Sequence, residues 1–152
     1  MPHLMPRISW FLSSAIVLFG DSIVALENRG RLTVEIDGLR NQTGEVCLRV
    51  YDRSAGFPGE DEGVVAEQCS NIATVPLTLE FDSLAFGTYA IALFHDENID
   101  AVLNTNFVGI PLEGFGFSNN PTLRSGPPEF QEAVVFVGGR NTTVQIEMQY
   151  LF

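Results

Sequence analysis

Hydrophobic and polar residues alternate with a period of two along most of the chain after residue 30. This alternation is typical of β-strands that bury one face and expose the other. The alternating segments are residues 32–37, 46–51, 77–82 and 143–150, with a weaker candidate at 64–72. Residues 89–94 and 133–137 are apolar on both faces, as expected of strands that are covered on two sides.

Turn-forming residues separate these strand candidates, for example at Asn41–Gly44 and Gly138–Asn141. Sustained helical spacing of apolar residues is absent from the sequence. The pattern predicts an all-β protein, an antiparallel Greek-key β-sandwich of about seven strands and of immunoglobulin-like type. In this interpretation residues 26–152 form a single domain, because neither a repeat nor a linker interrupts them.

The segment Leu84–Tyr89 supports the Greek-key interpretation. Its tyrosine lies just inside a strand candidate and follows a crossover that contains glycine. A hydroxyl in this position can donate back to the main chain of the crossover, which is the tyrosine-corner device of such folds. The alternative is that Tyr89 is only a large core residue, and the sequence leaves both interpretations open.

The first 25 residues differ in composition from the rest of the chain. Arg7 precedes an apolar run from Ile8 to Phe19, and small residues follow up to Ala25. These are the features of a secretory signal peptide, residues 1–25, and the run is too short to cross a bilayer comfortably. We therefore expect an exported protein in the periplasm, outside the cell or at the cell surface, with no stable membrane span in the mature chain. An uncleaved anchor or a plain N-terminal tail is the alternative.

The charge balance excludes one large class of partners. The chain has 8 basic residues, all of them arginine, against 19 acidic ones, for a formal net charge of −11. Polyanions repel such a protein, so we expect no nucleic-acid partner. The partners that we consider are an unknown protein or a glycan of the cell envelope.

The chain contains two cysteines, Cys47 and Cys69. An even pair in an exported protein is most simply interpreted as one disulfide. Closing a loop of this size contributes about 3 kcal/mol in the chain-entropy treatment. The alternative is a pair of partly buried free thiols. Metal ligation is disfavoured, because no second cysteine pair or histidine pair accompanies them.

A group of oxygen-bearing side chains follows the strand candidate at 89–94. Asp96, Asn98 and Asp100 occupy alternating positions, and Asn104 lies four residues further on. These are positions one, three, five and nine of a tight loop that wraps oxygen ligands around calcium, a cation that needs about six to eight of them. Calcium is the one cofactor that the sequence suggests.

Two departures from this calcium pattern predict that binding is weak. The sixth position normally needs glycine for a sharp turn, and here it is Ala101; the twelfth normally supplies a bidentate glutamate, and here it is Phe107. An alanine in a left-handed conformation costs about 1–2 kcal/mol. The alternative is a metal-free polar loop, in which aspartate and asparagine side chains bond nearby main-chain groups in Asx-turns.

The long loop after Asp96 is the candidate contact surface, because such loops in compact domains are usually either functional or packed by their own side chains. The residues assigned to this surface are His95, Glu113, Phe115, Phe117, Asn119 and Asn120. Phe107, Phe115 and Phe117 are candidates for an aromatic platform that binds a sugar or a peptide. The alternative is that these rings fold the loop back over the sandwich.

Catalysis is the less favoured hypothesis. His95 with nearby carboxylates suggests a hydrolase of cell-envelope polymers, but Asp96 is its strand neighbour and points to the opposite face. After removal of residues 1–25 the chain has one histidine and no lysine. We therefore assign no catalytic residue. We favour an exported, non-catalytic binding or surface-structural module whose biochemical activity is unknown.

Four motifs resemble those of one known family. They are Gly87-Thr-Tyr-Ala90, His95-Asp-Glu-Asn98, Asn104-Thr-Asn106 and Gly109-Ile-Pro-x-Glu-Gly-Phe-Gly-Phe-Ser-Asn-Asn120. The chain resembles bacterial exported proteins catalogued as domain of unknown function 2141. The resemblance implies a prealbumin-like β-sandwich and export, and no established activity. Family members usually have asparagine and glycine where this chain has Asp100 and Ala101, and aspartate where it has Asn104. The differences at Ala101 and Asn104 disfavour metal binding in this chain.

Overall fold

The structure, a computed structural model, describes residues 28–152. The predicted signal peptide and its cleavage site lie outside the described residues. The described part of the chain forms β1 (Arg29–Asp37), β2 (Glu45–Tyr51), β3 (Val64–Asn71), β4 (Leu77–Ala85), β5 (Gly87–Asp96), β6 (Gly114–Phe117), α1 (Phe130–Ala133), β7 (Val134–Val137) and β8 (Asn141–Glu147). These elements confirm the all-β fold class. No helix among residues 28–152 is long and apolar enough to cross a membrane.

The strands form two sheets that pack face to face. One sheet has the strand order β4-β1-β8, and the other has the order β3-β2-β5-β6 with β7 also paired to β5. β6 pairs with residues 92–95 of β5, and β7 pairs with residues 87–90. The two short strands therefore share one edge of β5, one after the other.

The pairing of β1 corrects the prediction of a purely antiparallel sandwich. β1 is antiparallel to β4 but parallel to β8, from Arg31↔Asn141 to Asp37↔Glu147. The turn between β7 and β8 carries the chain from one sheet to the other, so β8 lies along the edge of β1 and does not form a hairpin with β7.

β6 lies where the sequence pattern predicts a loop, and it brings the number of strands to eight. A Cβ atom on Gly114 would lie 2.4 Å from a ring carbon of Tyr150, and one on Gly116 would lie 2.8 Å from Ile146. Glycine is needed at both positions because these neighbouring side chains approach the β6 main chain closely. The strand therefore lacks half of the side chains that would have revealed it in the sequence.

The main core lies between the two sheets. It is built from inward-facing side chains of both, including Leu32, Val34 and Ile36 of β1 and Ile91 and Leu93 of β5. A second, smaller core covers the outer face of the five-stranded sheet. β5 is therefore buried on both faces, which explains why its sequence is apolar at nearly every position.

Aromatic side chains dominate the second core. Phe57, from the segment after β2, packs against Tyr51, Phe117 and Phe130, with ring centroids 5.3, 6.1 and 5.7 Å away. The rings meet edge to face, an arrangement that aromatic pairs favour. Phe130 belongs to α1, so this short helix and the segment after β2 together cover the outer face of the sheet.

One local prediction is confirmed, and the structure supports one of the two interpretations of Tyr89. Cys47 and Cys69 lie opposite each other in the β2–β3 pair and form a disulfide with an S–S distance of 2.02 Å. The Tyr89 hydroxyl donates to the main-chain oxygen of Ala85 at 2.7 Å, and burial raises the pKa of Tyr89. Because β4 and β5 belong to different sheets, this bond braces the crossover between them, as expected of a tyrosine corner.

Candidate functional site

The candidate site is the β5–β6 loop, residues 97–113. β5 ends with His95 and Asp96, which are both fully buried, and the loop ends with Glu113, which is 6% exposed. Buried polar groups are stable only when their hydrogen bonds are made. Among the described residues, every buried side-chain nitrogen and oxygen has a partner. The partners of these three residues therefore show how the loop is held.

His95 is bonded at both ring nitrogens. Nε2 lies 2.7 Å from the main-chain oxygen of Thr43, and Nδ1 lies 2.7 Å from the Tyr150 hydroxyl. Since a main-chain oxygen only accepts, Nε2 donates to Thr43, and Nδ1 is paired with the Tyr150 hydroxyl. The ring has no exposure to solvent. In this geometry His95 lacks the access that a general base requires, and it links three segments of the chain.

The Asp96 carboxylate binds the main chain of the loop. Its Oδ1 accepts from the N–H of Asp100 at 3.1 Å, and its Oδ2 accepts from the N–H of Ala101 at 2.7 Å. The loop wraps around this carboxylate, and Ile99 and Ala101 take left-handed conformations with φ of 58° and 62°. Such φ values are uncommon outside glycine. The sharp turn that the calcium pattern requires at Ala101 is therefore present even though glycine is not.

Three of the four predicted calcium ligands lie together in this loop. The Asp100 carboxylate accepts from the side-chain amides of Asn98 at 2.9 Å and Asn104 at 3.0 Å, and from the N–H of Val102 at 2.9 Å. The bonds from Asn104 and Asn98 lower the pKa of Asp100 because they stabilise its charged form. These are the contacts of the Asx-turn interpretation. They also bring together three side chains that carry oxygen atoms, as the calcium interpretation requires.

Glu113 closes the loop from its other end. Its Oε1 accepts from the N–H of Glu97 at 3.0 Å, and its Oε2 accepts from the N–H of Asn104 at 2.9 Å. Asp96 and Glu113 thus bind four main-chain N–H groups between them. Bonds to a charged acceptor are stronger than neutral ones. We call His95, Asp96 and Glu113, with the groups that they bond, the base of the loop.

Arg40 joins the loop to the C-terminal part of the described chain. Its guanidinium donates twice to Glu97, with Nε 3.0 Å from Oε1, and lies 4.5 Å from the centroid of the Tyr150 ring. Asn41 also donates to the Glu97 carboxylate. The bond from Arg40 holds the pKa of Glu97 down to about 2. No local sequence pattern indicates this pair, because Arg40 and Glu97 are 57 residues apart.

The outer part of the loop folds back on itself as a small hairpin. Main-chain bonds run from the N–H of Leu112 to Asn104 and from the N–H of Asn106 to Ile110. The side-chain oxygen of Asn106 accepts two further N–H bonds inside the turn. Phe107 lies at the corner of this turn and is 99% exposed. The hairpin therefore presents an aromatic ring to solvent on a main chain that is largely bonded within the loop.

Exposed apolar side chains are concentrated around this hairpin. Most of the large hydrophobic residues that are exposed in the described chain lie in the β5–β6 loop or at residues 151–152. They are Ile99, Val102, Phe107, Val108, Ile110, Leu112, Leu151 and Phe152. The Arg40 guanidinium donates to the main-chain oxygens of Phe152 at 2.9 Å and Leu112 at 3.5 Å. The exposed residues 151–152 therefore lie beside those of the loop. Clusters of this kind mark interaction sites. We call Phe107, Val108, Ile110 and Leu112 the apolar tip.

The predicted aromatic platform is not formed. Phe115 and Phe117 are 5% and 6% exposed and lie in the second core, because β6 pairs with β5 and turns both rings onto the outer face of the sheet. Phe107 is the one ring of the three that faces solvent. The alternative, that the rings fold the chain over the sandwich, is therefore correct for Phe115 and Phe117.

Asn119 and Asn120, two residues of the predicted contact surface, bond to the main chain of other strands. The Asn119 amide donates to the main-chain oxygen of Val134 at 2.7 Å. The Asn120 side chain donates to the main-chain oxygen of Gln145 at 3.2 Å and accepts from the N–H of Glu147 at 2.8 Å. These bonds connect the segment after β6 with β7 in one sheet and with β8 in the other.

Histidine, cysteine and carboxylate ligands converge away from the loop. Among residues 28–152, a group of three such ligand atoms within 4.8 Å of one another occurs only at Glu45, Cys47 and Cys69. The two sulfur atoms are joined in the disulfide, and a metal ligand must be a thiolate. In the β5–β6 loop the side chains that meet are one aspartate and two asparagines, so calcium there stays a prediction.

A known protein family matches most of the chain. A family described as "Uncharacterized protein conserved in bacteria (DUF2141)" matches residues 34–145. The chain belongs to this family. The match runs from β1 to β8 and includes the whole β5–β6 loop, which confirms the resemblance of the motifs. Among curated proteins and solved structures, none matches the chain.

Proposed function

We propose that this family member is an exported, non-catalytic β-sandwich domain that binds a partner in the cell envelope through the apolar tip. The observation that carries the proposal is Phe107, which is 99% exposed at the corner of the hairpin. Leaving a phenylalanine in water forgoes about 1.5–3 kcal/mol of burial. Turn corners are usually polar. An anchor residue that is buried by a partner gives this arrangement a physical reason.

The construction of the loop supports binding more than catalysis. An anchor gains affinity when it is held in its bound position before the partner arrives. Asp96 and Glu113 hold the base of the loop, and Asn106 holds its turn. His95, by contrast, has both nitrogens bonded inside the protein. A hydrolase would need an accessible base, which His95 does not provide in this geometry.

Binding of the purified protein to separated envelope fractions tests the proposal. The fractions are membranes, peptidoglycan and envelope proteins from a bacterium that encodes a member of this protein family. We expect Phe107→Ser to weaken binding about tenfold or more. Phe136→Ser is the matched control, because Phe136 is a phenylalanine on β7 that is 66% exposed. Equal binding by the wild type and Phe107→Ser would overturn the proposal.

We also propose that the loop binds calcium weakly and is stiffened by it. The left-handed turn at Ala101 and the meeting of Asn98, Asp100 and Asn104 support this proposal. Both asparagine amides turn their N–H groups toward Asp100, so a cation would require them to rotate and present oxygen. Few charged ligands are available, and we expect a Kd of about 10⁻⁴–10⁻³ M.

We propose in addition that the sandwich is of the Greek-key, prealbumin-like class. The crossover from β4 to β5, braced by Tyr89, supports this assignment. An experimental structure superposed on prealbumin-like domains tests it. The strand order and the direction of each crossover should coincide, and a different order within either sheet would refute the assignment.

A further inference from the structure

The apolar and uncharged surface of the tip favours one class of partner, a lipid surface, over a glycan or a protein. We propose that the tip inserts into the interfacial layer of a lipid surface whose headgroups are zwitterionic and carry no net charge. This inference rests on the proposed binding role of the tip and specifies what it binds. Three properties of residues 101–112 carry it, namely their charge, their main-chain bonds and their side chains.

The segment from Ala101 to Leu112 has no charged residue, although charged residues make up 18% of the chain. The nearest charges on either side, Asp100 and Glu113, are bonded to the main chain of the loop. Moving an ionised side chain out of water is costly. The tip can therefore leave water without moving an ionised side chain out of water.

The hairpin also bonds most of its own main-chain donors. The N–H groups that donate within the loop or to its base are those of Asn104, Asn106, Val108, Gly109, Ile110 and Leu112. Pro111 has no N–H to satisfy. Unpaired main-chain groups are the chief obstacle to placing irregular backbone in lipid. A hairpin that already makes these bonds brings few unpaired N–H groups into the lipid.

The side chains of the tip offer apolar area with few directional bonds. Phe107, Val108, Ile110 and Leu112 are exposed, and the side-chain oxygen of Asn106 is used inside the turn. A glycan needs hydrogen bonds from the protein, and protein interfaces make about one for every 100–200 Å². Apolar area without such bonds suits the boundary between headgroups and acyl chains, where phenylalanine and leucine insert.

The charge of the protein selects the headgroups. The formal net charge is −11, and no arginine lies between Arg53 and Arg124. Arg40, near the base of the loop, is paired with Glu97. Anionic headgroups attract basic segments and repel acidic proteins. We therefore expect binding to zwitterionic surfaces and little dependence of that binding on salt.

A tryptophan placed at the tip reports insertion directly. The single tryptophan, Trp10, lies in the predicted signal peptide, so Phe107→Trp combined with Trp10→Phe and purified in the exported form puts the one fluorophore at the tip. Phosphatidylcholine vesicles should shift its emission to the blue, and brominated phosphatidylcholine should quench it. Phe136→Trp in the same background is the matched control and should show neither response.

Co-sedimentation with vesicles measures the affinity. Phe107→Ser should lower partitioning onto phosphatidylcholine vesicles about tenfold, whereas Phe136→Ser should leave it unchanged. Phosphatidylglycerol vesicles should bind less protein than phosphatidylcholine vesicles at low salt. All variants are compared in the exported form, so any binding by residues outside the tip is common to all and the predicted signal peptide adds none.

The outcomes separate this inference from the proposed function. Unchanged emission of the Phe107→Trp protein with phosphatidylcholine vesicles would overturn the lipid inference, and so would equal quenching of the Phe136→Trp control. If binding to peptidoglycan or envelope proteins still depended on Phe107 in that case, the proposed function would stand with a different partner. If no fraction bound in a manner that depends on Phe107, both would fall.

Discussion

At the base of the β5–β6 loop the buried side chains are polar, whereas at its tip the exposed side chains are apolar. His95, Asp96 and Glu113 are at most 6% exposed, and Phe107 is 99% exposed. Both regions reverse the usual relation between polarity and burial. At the base, burial of the polar side chains is compensated, because each of them is hydrogen-bonded within the protein. Within the described residues, no side chain covers Phe107.

This difference separates a structural role from a binding role within one loop. The carboxylates of the base hold main-chain N–H groups, so changes there should weaken the fold. The tip faces solvent, so changes there should alter binding and leave the fold intact. Measurements of stability therefore distinguish the two regions even before the partner is identified.

The largest effect within the loop is expected at the base. Asp96→Ala removes the acceptors of the N–H groups of Asp100 and Ala101, and hydrogen bonds to charged groups contribute about 1.5–3 kcal/mol each. We expect the free energy of unfolding, measured in urea, to fall by about 3 kcal/mol. Asp96→Asn keeps one acceptor oxygen and should lose about half as much. A loss below about 0.5 kcal/mol for Asp96→Ala would show that the base does not support the fold.

Calcium should stabilise the loop by a smaller amount. At about ten times the expected Kd, mass action contributes about 1.4 kcal/mol, which is a melting shift of about 3–6 °C for a domain of this size. Asp100→Ala should abolish the shift, because it removes the charged group that Asn98 and Asn104 contact. The measurement is thermal melting in EDTA and then in millimolar calcium. Identical curves for the wild-type protein would refute the calcium proposal.

Acid should weaken the attachment of Arg40 to the loop. Arg40 lowers the pKa of Glu97 from 4.5 to about 2. A carboxyl whose pKa is lower in the folded state stabilises that state above its unfolded pKa, and this contribution is lost as the pH falls from 4.5 toward 2. Because the pair is partly exposed, we expect the loss to be about 1 kcal/mol. Urea unfolding across this range measures it, and parallel curves for the wild type and Glu97→Gln would contradict it.

The smallest effect on stability is expected at the tip. Phe107 is 99% exposed, so Phe107→Ser should change the free energy of unfolding by less than about 0.5 kcal/mol. Phe117 is the buried counterpart at 6% exposed, and Phe117→Ser should lose about 3–5 kcal/mol. Similar losses for the two variants would show that the ring at position 107 is packed in the folded protein. The contrast between base and tip would then fail.

The elements that could be predicted from the sequence are those whose signals are local. Strands with one buried face alternate in polarity, and the bond of Tyr89 to Ala85 spans four residues. β6 escaped prediction because Gly114 and Gly116 are fitted to side chains from distant parts of the chain. The parallel partner of β1 escaped it as well, since period-two alternation shows which face is buried but not which strand lies alongside.

The same distinction applies to the candidate site. The spacing of Asp96, Asn98 and Asp100 indicated a tight polar turn, because these side chains bond their own neighbourhood. The partners of His95, by contrast, lie 52 and 55 residues away in the sequence. Phe107 could not be distinguished from the buried phenylalanines of β6, because an apolar side chain is equally compatible with a core and with a binding surface.

The parallel pairing of β1 with β8 governs the order in which the protein can fold. β1 is the central strand of its sheet, and β8 is the last strand of the described chain. Glu35 and Gln145, which are paired across the two strands, are 110 residues apart. Sheet contacts between such distant segments form slowly, because closing the intervening chain opposes them until the contacts are made. As the chain is synthesised from its N-terminus, one edge of β1 stays without its partner until β8 has left the ribosome.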